Sequence, residues 1–568
     1  MLKQIEKNKI VKKQHGIISI KLVGSSYDIG FKHGNLLKDE IRDGVFPYFY
    51  SQISKLLKND KRFRNQAINK VVVSLLKTKA KKFIQRIPEE IKSEIKGFSE
   101  GADIDFKSAL LVYVFPEIMS YLISKSNNDN YSFKTYLSGE SLIGCTSILV
   151  YGDATKENNL IHGRNLDSLG IGYWDKYPLV SYIHPEKGFK YVSIGSAGTS
   201  AGVISGMNEK GITYALHQNY TKEIDENNVP ILALGNMVLK YADTLSKAQE
   251  IIKSTKAVGG WSIVVSDYKI KDAFIAEICG SEVHFRSSDR DLLICTNSYI
   301  LKDFYEKELI ISPLLNISSN LRYQRAMQLA GKHYYSIKEE NVAEWLGDRY
   351  DISSEKEKSF GYTISQNNTV GSVIFSPEKN MFWVASGETP VSNNSYIPFH
   401  FDFDIEISDS FTLKPYEFSN ENIKIVNKKI IDSHKFYQKG NFKNAENLLM
   451  ESIKIMDKEE PILHFLVGVL NIQLENFEKA SKMLNIAYDN ESDIYKSGII
   501  KLWLGRVYDL LNNRDKAIKQ YRYVEQMGKN VYSHISELAS KGIKKPYTKK
   551  DIKYIDLDIW FGEELISK

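Results

Sequence analysis

The hydrophobic pattern of this chain changes its period at Gly144-Cys145, and that change constrains the fold more than any other feature. Before it, apolar residues recur every three or four positions through residues 26–57 and 88–104, which predicts helices. After it, apolar residues fall into short runs, beginning with Cys145–Val150, which predicts strands. We therefore expect a mainly helical first segment, with one short strand at Ile17–Val23, followed by a β-rich region.

The junction between these two regions is predicted to be a loop. Residues 127–141 are polar and rich in turn-forming side chains, so Gly144-Cys145 is expected to emerge from that loop.

The β-rich region opens with a predicted hairpin, in which residues 145–152 and 160–167 flank a polar turn. Further strand patterns lie at 191–208, 211–219, 261–267, 272–285, 291–297 and 369–387, and helical patterns lie at 233–255 and 318–333. Runs of strands with helices between them predict an α+β fold packed as a sandwich.

The last part of the chain is helical and repeats. Ala445, Ala480 and Ala517 stand at matching positions of three similar segments, spaced by 35 and 37 residues, as in tetratricopeptide (TPR) repeats. The alternative is a helical cap that packs on the preceding region. We divide the chain into a propeptide at 1–144, a catalytic core at 145–425, TPR-like repeats at 426–545 and a tail at 546–568.

Composition is ordinary for a soluble globular protein, with 42% apolar and 26% charged residues among 568 and a net charge of +6. The lysine clusters lack a groove reader or stacking aromatic residues, so nucleic acid is not expected as a partner. No signal-type apolar region or membrane-spanning segment is evident, which predicts a cytoplasmic protein. The cysteines, Cys145, Cys279 and Cys295, fit no zinc spacing, and no metal or cofactor is expected.

Cys145 is the candidate nucleophile, although a lone cysteine before an apolar run is more often buried and inert. Gly144 permits backbone geometries in which the thiol attacks the carbonyl before it. Hydrolysis would then leave Cys145 with a free α-amine, whose pKa of about 8 suits it to take the proton of a thiol with a pKa of about 8.5. Such a cysteine carries its own general base.

The predicted hairpin brings Arg164 and Asp167 alongside Cys145. The two side chains alternate along one strand and face opposite ways, unless twist at the strand end brings both to one site. Asp167 can orient an ammonium group, and Arg164 favours a thiolate or a substrate carboxylate. A surface ion pair is the ordinary alternative.

Four motifs in this order resemble a known enzyme class. They are GCTS at 144–147, HGRNLD at 162–167, GMNEKGITYALHQN at 206–219 and CTNSY at 295–299. Together they are similar to the N-terminal nucleophile (Ntn) amide hydrolases of the choloylglycine hydrolase and penicillin acyltransferase type, and most of all to the autoproteolytic peptidase family C45. Residues 24–41 and 95–115 resemble the propeptide segments of that branch. The resemblance extends over residues 18–390.

The resemblance implies an αββα sandwich, self-cleavage between Gly144 and Cys145, and catalysis by the Cys145 thiol and its new amine. It assigns Asp167 to orienting the amine, Arg164 to the neighbourhood of the nucleophile, and Asn297 to holding the oxyanion. The remaining correspondences are Gln218, Asn219 or the backbone near His217 as a second oxyanion donor, Arg322 or Arg325 closing the pocket, and Ser147 assisting self-cleavage. Turn, cap or exposed-helix roles are the ordinary explanations of these residues.

The sequence thus predicts a zymogen that becomes a cysteine amidohydrolase or acyltransferase. Its substrate would be a small linear amide or acyl compound, carried as an acyl-thioester on Cys145, and its repeats could bind a peptide or protein. The alternative is an inactive Ntn fold that serves as a TPR-mediated interaction module. A papain-like Cys/His protease is disfavoured, because the residues around Cys145 differ from that class.

Overall fold

The computed structural model describes residues 10–57, 77–125, 143–168, 170–311, 313–456, 460–527, 533–553, 555 and 557. The polar segment predicted as a loop at 127–141 lies outside these residues.

Seventeen strands are described in this part of the chain. They are β1 Val11–Gln14, β2 Ile17–Gly24, β3 Ile143–Val150, β4 Ile161–Ser168, β5 Pro178–Pro185, β6 Tyr191–Ser196, β7 Ser205–Asn208, β8 Ile212–Asn219, β9 Gly260–Asp267, β10 Asp272–Cys279, β11 Glu282–Arg286, β12 Leu292–Cys295, β13 Tyr350–Asp351, β14 Lys356–Glu357, β15 Thr369–Ser376, β16 Met381–Ala385 and β17 Tyr396–His400. Each strand predicted from the sequence is present, although the patterns at 191–208, 272–285 and 369–387 each divide into two strands.

Two large sheets result. One has nine strands in the order β1-β2-β5-β6-β7-β8-β9-β10-β11, and the other has six in the order β12-β3-β4-β15-β16-β17. The pair β2 and β5 is parallel, and the predicted hairpin of β3 and β4 is antiparallel.

The two sheets pack face to face, because alternate residues of each strand are apolar and point between them. One end of this interface contains Val180 and Val192 from the larger sheet with Phe375 and Phe382 from the smaller. The opposite faces are apolar too, and helices cover both. The predicted α+β class and the αββα layering are confirmed.

The helices fall into three groups. The first group precedes the hairpin: α1 Ser26–Leu36, α2 Lys38–Asp43, α3 Val45–Leu57, α4 Glu89–Ala102, α5 Phe106–Tyr113 and α6 Phe115–Lys125. The second lies within the β-rich region: α7 Ile231–Tyr241, α8 Leu245–Thr255, α9 Lys302–Tyr305, α10 Pro313–Lys332 and α11 Glu339–Leu346. The third is the helical repeat region: α12 Glu421–Gln438, α13 Phe442–Met456, α14 Pro461–Gln473, α15 Phe477–Asn490, α16 Ile494–Leu510, α17 Arg514–Met527, α18 Ser533–Lys544 and α19 Lys549–Ile552.

The first segment is built into the sandwich rather than attached to it. Its strand β2 pairs with β5 inside the larger sheet, and its helices cover the outer face of that sheet. Helices α1 and α4 cross where glycines allow their backbones to touch. A Cβ at Gly30 would lie 1.9 Å from the carbonyl oxygen of Glu94, and one at Gly97 would lie 2.1 Å from that of Tyr27.

The helical repeat region contains three packed helix pairs, α12 with α13, α14 with α15 and α16 with α17, followed by α18 and α19. Alanines Ala445, Ala480 and Ala517 are fully buried at equivalent positions of α13, α15 and α17. Helix α14 is buried on all sides from Pro461 to Ile472. The proposed division of the chain into four domains stays a prediction.

No single helix of the described residues has the length and apolarity of a membrane span, although α5 and most of α6, bent by 50°, meet that test as a pair.

Candidate active site

Cys145 is the centre of a cluster of polar side chains at the end of strands β3 and β4. Gly144 and Cys145 belong to β3 and pair with Asp167 and Leu166 of β4, and the loop predicted before them stays a prediction. The backbone nitrogen of Cys145 donates a hydrogen bond to Oδ1 of Asn297 at 2.8 Å. The nitrogen that self-cleavage would free therefore has an acceptor.

The thiol of Cys145 faces the space between the sheets and contacts Arg164. Nη2 of Arg164 lies 3.1 Å from Sγ and also donates to the carbonyl oxygen of Leu216 on β8, which fixes the guanidinium. Burial raises the pKa of the Cys145 thiol, and the positive charge of Arg164 opposes that rise. In the uncut chain the thiol is thus held mainly in its protonated form.

Asp167 lies on the opposite face of β4, beside Gly144. A Cβ at Gly144 would lie 2.8 Å from Oδ2 of Asp167, so no larger residue fits without displacing the carboxylate. Oδ1 accepts a hydrogen bond from Thr369 at 2.6 Å, while Oδ2 has no partner among the described residues. Burial raises the pKa of Asp167, and Arg322 and Thr369 lower it. Arg164 and Asp167 therefore approach the Gly144-Cys145 bond from opposite faces, without strand twist.

Arg322 of α10 belongs to the site. Its Nη1 donates to the carbonyl oxygen of Cys145 at 2.6 Å and to Oγ1 of Thr146 at 2.7 Å, and its Nη2 donates to Oδ1 of Asn297 at 2.9 Å. Because the guanidinium is fully buried, its pKa is lowered, and the carboxylate of Asp167 offsets part of this effect.

Arg325 was the alternative to Arg322, and the structure places it elsewhere. One helical turn further along α10, it forms an ion pair with Asp348 at 2.7 Å and stacks on the ring of Tyr350. Arg322 and Arg325 are three residues apart, which is slightly less than the ~3.6 residues of one helical turn, so their side chains point in somewhat different directions. That of Arg325 points to the residues that follow α11.

Asn297 links Cys145 to strand β8. Besides accepting from Cys145, it donates from Nδ2 to the carbonyl oxygen of Gln218 at 2.9 Å, and its own backbone nitrogen donates to Ser319. Both termini of its side-chain amide are thus oriented by hydrogen bonds.

Asn219, at the end of β8, has a buried side-chain amide. Neither Nδ2 nor Oδ1 has a partner among the described residues, although the residue is 1% exposed. A native structure rarely leaves such a group unsatisfied, so this amide is suited to a ligand. By contrast, the neighbouring Gln218 lines the cavity described below.

The side chain of His217 is bonded to Ser147 between the sheets. Nε2 of His217 lies 2.8 Å from Oγ of Ser147, and Nε2 of His162 lies 3.4 Å from the same oxygen. Burial lowers the pKa of His162 to about 3 and that of His217 well below its usual range, so both rings are neutral. The thiol contacts Arg164 rather than a histidine, in keeping with the sequence argument against a papain-like dyad.

A deep apolar cavity opens beside the cluster. It is about 1140 Å³ in volume with the open solvent at its mouth included, and its lining includes Leu216, Gln218 and Arg164, whose guanidinium contacts the Cys145 sulfur. Helices of the first segment also line it, with Phe46, Phe98 and other apolar side chains. The first segment therefore contributes directly to the space next to the nucleophile.

Sequence reasoning missed Thr369 and Thr146. Thr369 begins a strand that was predicted, and Thr146 follows Cys145 directly, but a threonine on a strand gives no sign of a catalytic neighbour. Only the pairing of β15 with β4 brings Thr369 to Asp167.

Residues 154–390 match the family model described as acyl-coenzyme A:6-aminopenicillanic acid acyl-transferase. The match begins after Cys145. Among curated proteins, an uncharacterized protein of Archaeoglobus fulgidus is 23% identical over 319 residues, which is 50% of this chain and 50% of that protein. Protein dcd1B of Dictyostelium discoideum is 23% identical over 243 residues, 41% of this chain and 45% of that protein. The chain spans about half the length of the curated relatives it matches.

Two solved structures are also similar. The Caenorhabditis elegans ortholog of N-acylethanolamine-hydrolyzing acid amidase is 18% identical, with a TM-score of 0.32, over 41% of this chain and 93% of that chain. A variant of conjugated bile acid hydrolase from Clostridium perfringens is 13% identical, with a TM-score of 0.30, over 48% of this chain and 97% of that chain.

Proposed function

We propose that this chain, whose residues 154–390 belong to the acyl-coenzyme A:6-aminopenicillanic acid acyl-transferase family, is a self-cleaving cysteine hydrolase or acyltransferase of linear amides. The chain cuts its own bond between Gly144 and Cys145, and Cys145 then acts as nucleophile. One observation carries the proposal. The sulfur and the nitrogen of this single residue each have a buried polar partner, Arg164 at 3.1 Å and Asn297 at 2.8 Å.

Self-cleavage proceeds through a thioester. The Cys145 sulfur attacks the carbonyl carbon of Gly144, the C–N bond between the two residues breaks, and the nitrogen takes up the thiol proton. One water then hydrolyses the thioester, so Gly144 ends in a carboxylate and Cys145 carries a free thiol and a free amine. The unpartnered Oδ2 of Asp167 beside Gly144 supports its role as acceptor for the new ammonium.

Turnover uses the same atoms with an external amide. The α-amine of Cys145 takes the thiol proton, the thiolate attacks the substrate carbonyl, and the leaving amine receives that proton as the C–N bond breaks. Water or an acceptor amine then releases the acyl group from sulfur. The buried amide of Asn219 supports its assignment as donor to the oxyanion, a contact worth about 3 kcal/mol of barrier.

The cavity favours an apolar acyl group. Its walls are formed mainly by aromatic and aliphatic side chains, and its polar lining includes Gln218 and Arg164, whose guanidinium contacts the Cys145 sulfur. An acyl chain lying there would have its carbonyl at Cys145 and its hydrocarbon part against Phe98 and Ala109. Burial of each additional methylene contributes about 0.8 kcal/mol of binding.

A series of fluorogenic amides with straight acyl chains of increasing length tests this function. The wild-type protein is expected to hydrolyse long chains with higher kcat/KM than acetyl, through a thioester trapped by mass spectrometry on Cys145. Cys145→Ala should abolish hydrolysis and thioester formation, whereas Cys279→Ala, at another buried cysteine, should retain both. Ala109→Phe should lower the rate on long chains more than on acetyl.

Equal activity of wild type and Cys145→Ala would contradict the proposal. A wild-type protein that neither hydrolyses any amide of the series nor forms the thioester would favour the alternative of an inactive core whose repeats bind a partner.

A further inference from the structure

Residues 349–369, which follow α11 and contain the short strands β13 and β14 and the first residue of β15, support the cluster around Cys145 from one side. We refer to this segment as the bridging loop. Its last residue, Thr369, donates to Oδ1 of Asp167 at 2.6 Å. The carbonyl oxygen of Asn368 accepts from the backbone nitrogen of Ser168 at 2.8 Å, which fixes the end of β4.

The same loop also reaches Arg322. Gln366 donates from Nε2 to Oγ of Ser318 at 3.2 Å, and that oxygen accepts from Nε of Arg322 at 3.3 Å. The backbone nitrogen of Gln366 in turn donates to Oγ1 of Thr369 at 2.9 Å. One turn of chain therefore orients both Asp167, which lies beside Gly144, and Arg322, which donates to the carbonyl oxygen of Cys145.

The other side of the bridging loop is held by the helical repeat region. The first helix of each of the three pairs, α12, α14 and α16, contributes one buried or half-buried polar group near its N-terminal end. These contacts are Arg349 Nη2 to Asn427 Oδ1 at 3.3 Å, Ser359 N to Glu460 Oε1 at 2.8 Å, and Tyr362 OH to Asp493 Oδ2 at 3.0 Å.

Arg349 joins these contacts to the end of the loop. It is 1% exposed, and its guanidinium donates to the carbonyl oxygens of Ser359 and Ser365 and to Oδ1 of Asn367, as well as to Asn427. Because a buried cation is stable only while its donors are satisfied, these groups hold one another in a single arrangement.

The first helices of the repeat pairs, α12, α14 and α16, also make contacts at their other ends. At their C-terminal ends, the last part of the chain lies across them. Gln473 of α14 donates to the carbonyl oxygen of Ile555, Leu557 donates from its backbone to the hydroxyl of Tyr437 in α12, and Tyr547 donates likewise to Asp509 of α16. Both ends of these helices are therefore engaged within the chain.

We infer that the helical repeat region is an intramolecular brace. By holding the bridging loop, it positions Asp167 and Arg322 for self-cleavage and turnover. The positioning residues are Asn427 in the repeat region and Tyr362 and Arg349 in the bridging loop. None of them touches the reacting atoms. The inference rests on the proposed function only for the chemistry that the brace supports.

The test removes two brace contacts, using Tyr362→Phe with Asn427→Ala. The matched control is Tyr521→Phe with Asn471→Ala, which removes a tyrosine–aspartate bond and an asparagine–glutamate bond inside the repeats, at Asp509 and Glu446. Amide hydrogen exchange is measured first, in a Cys145→Ala background, so that the result does not depend on self-cleavage or turnover. The brace variant should speed exchange at the Ser168 and Thr369 amides at least tenfold, and the control should not.

Self-cleavage and turnover are then followed as a function of pH in the cleavable chain. Loss of the Thr369 hydrogen bond removes an interaction that lowers the pKa of Asp167. The acidic limb of the rate profile should therefore move to higher pH in the brace variant, with the rate reduced at least tenfold at neutral pH. The control should keep the wild-type profile.

Unchanged exchange at Ser168 and Thr369, or equal changes in the control, would overturn the brace. A wild-type chain that never cleaves while the exchange result holds would overturn the proposed function alone.

Discussion

At the scale of single residues, the pair Gly144 and Asp167 defines the site most narrowly. The two residues are paired across β3 and β4, and the carboxylate occupies the space that a side chain at 144 would need. A glycine before the nucleophile is thus required by its neighbour on the adjacent strand, besides allowing the backbone freedom that the sequence indicated.

Gly144→Ala should slow self-cleavage. The added methyl would lie 2.8 Å from Oδ2 of Asp167 and displace the carboxylate from the scissile bond. We expect a rate at least about tenfold lower, equivalent to about 1.4 kcal/mol of barrier. Gel densitometry over time after synthesis measures it.

Gly331→Ala is the matched control, because nothing lies within 4 Å of a Cβ there. Cleavage of Gly144→Ala at the wild-type rate would show that Asp167 does not act at this bond.

Sequence alone predicted the residues at the site better than their contacts. Cys145, Arg164 and Asp167 lie in one hairpin, and local alternation is enough to bring them together. The choice of Arg322 over Arg325 depends on the rotation of α10, and the buried amide of Asn219 depends on the packing of two sheets. No local pattern encodes either of these features.

At the scale of elements, the strands of the β-rich region were predictable because alternation is a local signal. The parallel pairing of β2 with β5 was not, since it joins residues about 160 positions apart in the chain. The close crossing of α1 and α4 depends on the segments GFKHG and GFSEG. The two glycines of each segment lie about one helical turn apart, on the face that contacts the other helix.

Helix α6 meets the core through a buried carboxyl group, that of Glu117. Its Oε1 accepts from the backbone nitrogen of Ile231 at 2.7 Å, and burial raises its pKa from 4.5 to about 8. A carboxyl with a raised pKa contributes its full stability below pH 4.5, and this contribution is lost as pH rises through 8. Docking of the first segment should therefore weaken across that window.

Glu117→Gln should flatten this dependence, because the amide keeps an acceptor for Ile231 and never ionises. Between pH 5 and 8 the wild type should lose up to about 1.4 kcal/mol of unfolding free energy per pH unit from this group. Denaturant titrations at several pH values measure the difference. Glu89→Gln, at an exposed residue of the same segment, is the control, and a Glu117→Gln slope equal to the control would contradict the assignment.

At the scale of the whole molecule, three parts of the chain contribute to the surroundings of Cys145. The first segment supplies β2 to the larger sheet and one wall of the cavity, the β-rich region supplies Cys145, the proposed nucleophile, and the repeats hold the bridging loop. Removing β2 would expose the edge of β5, so the two products of self-cleavage should stay together.

The measurement that tests this account most directly is the mass of the purified protein, taken under denaturing conditions after native size exclusion. The account predicts one native peak that contains two chains, the larger being residues 145–568 with Cys145 at its N-terminus. Active protein that gives the single mass of the uncut 568-residue chain would contradict it.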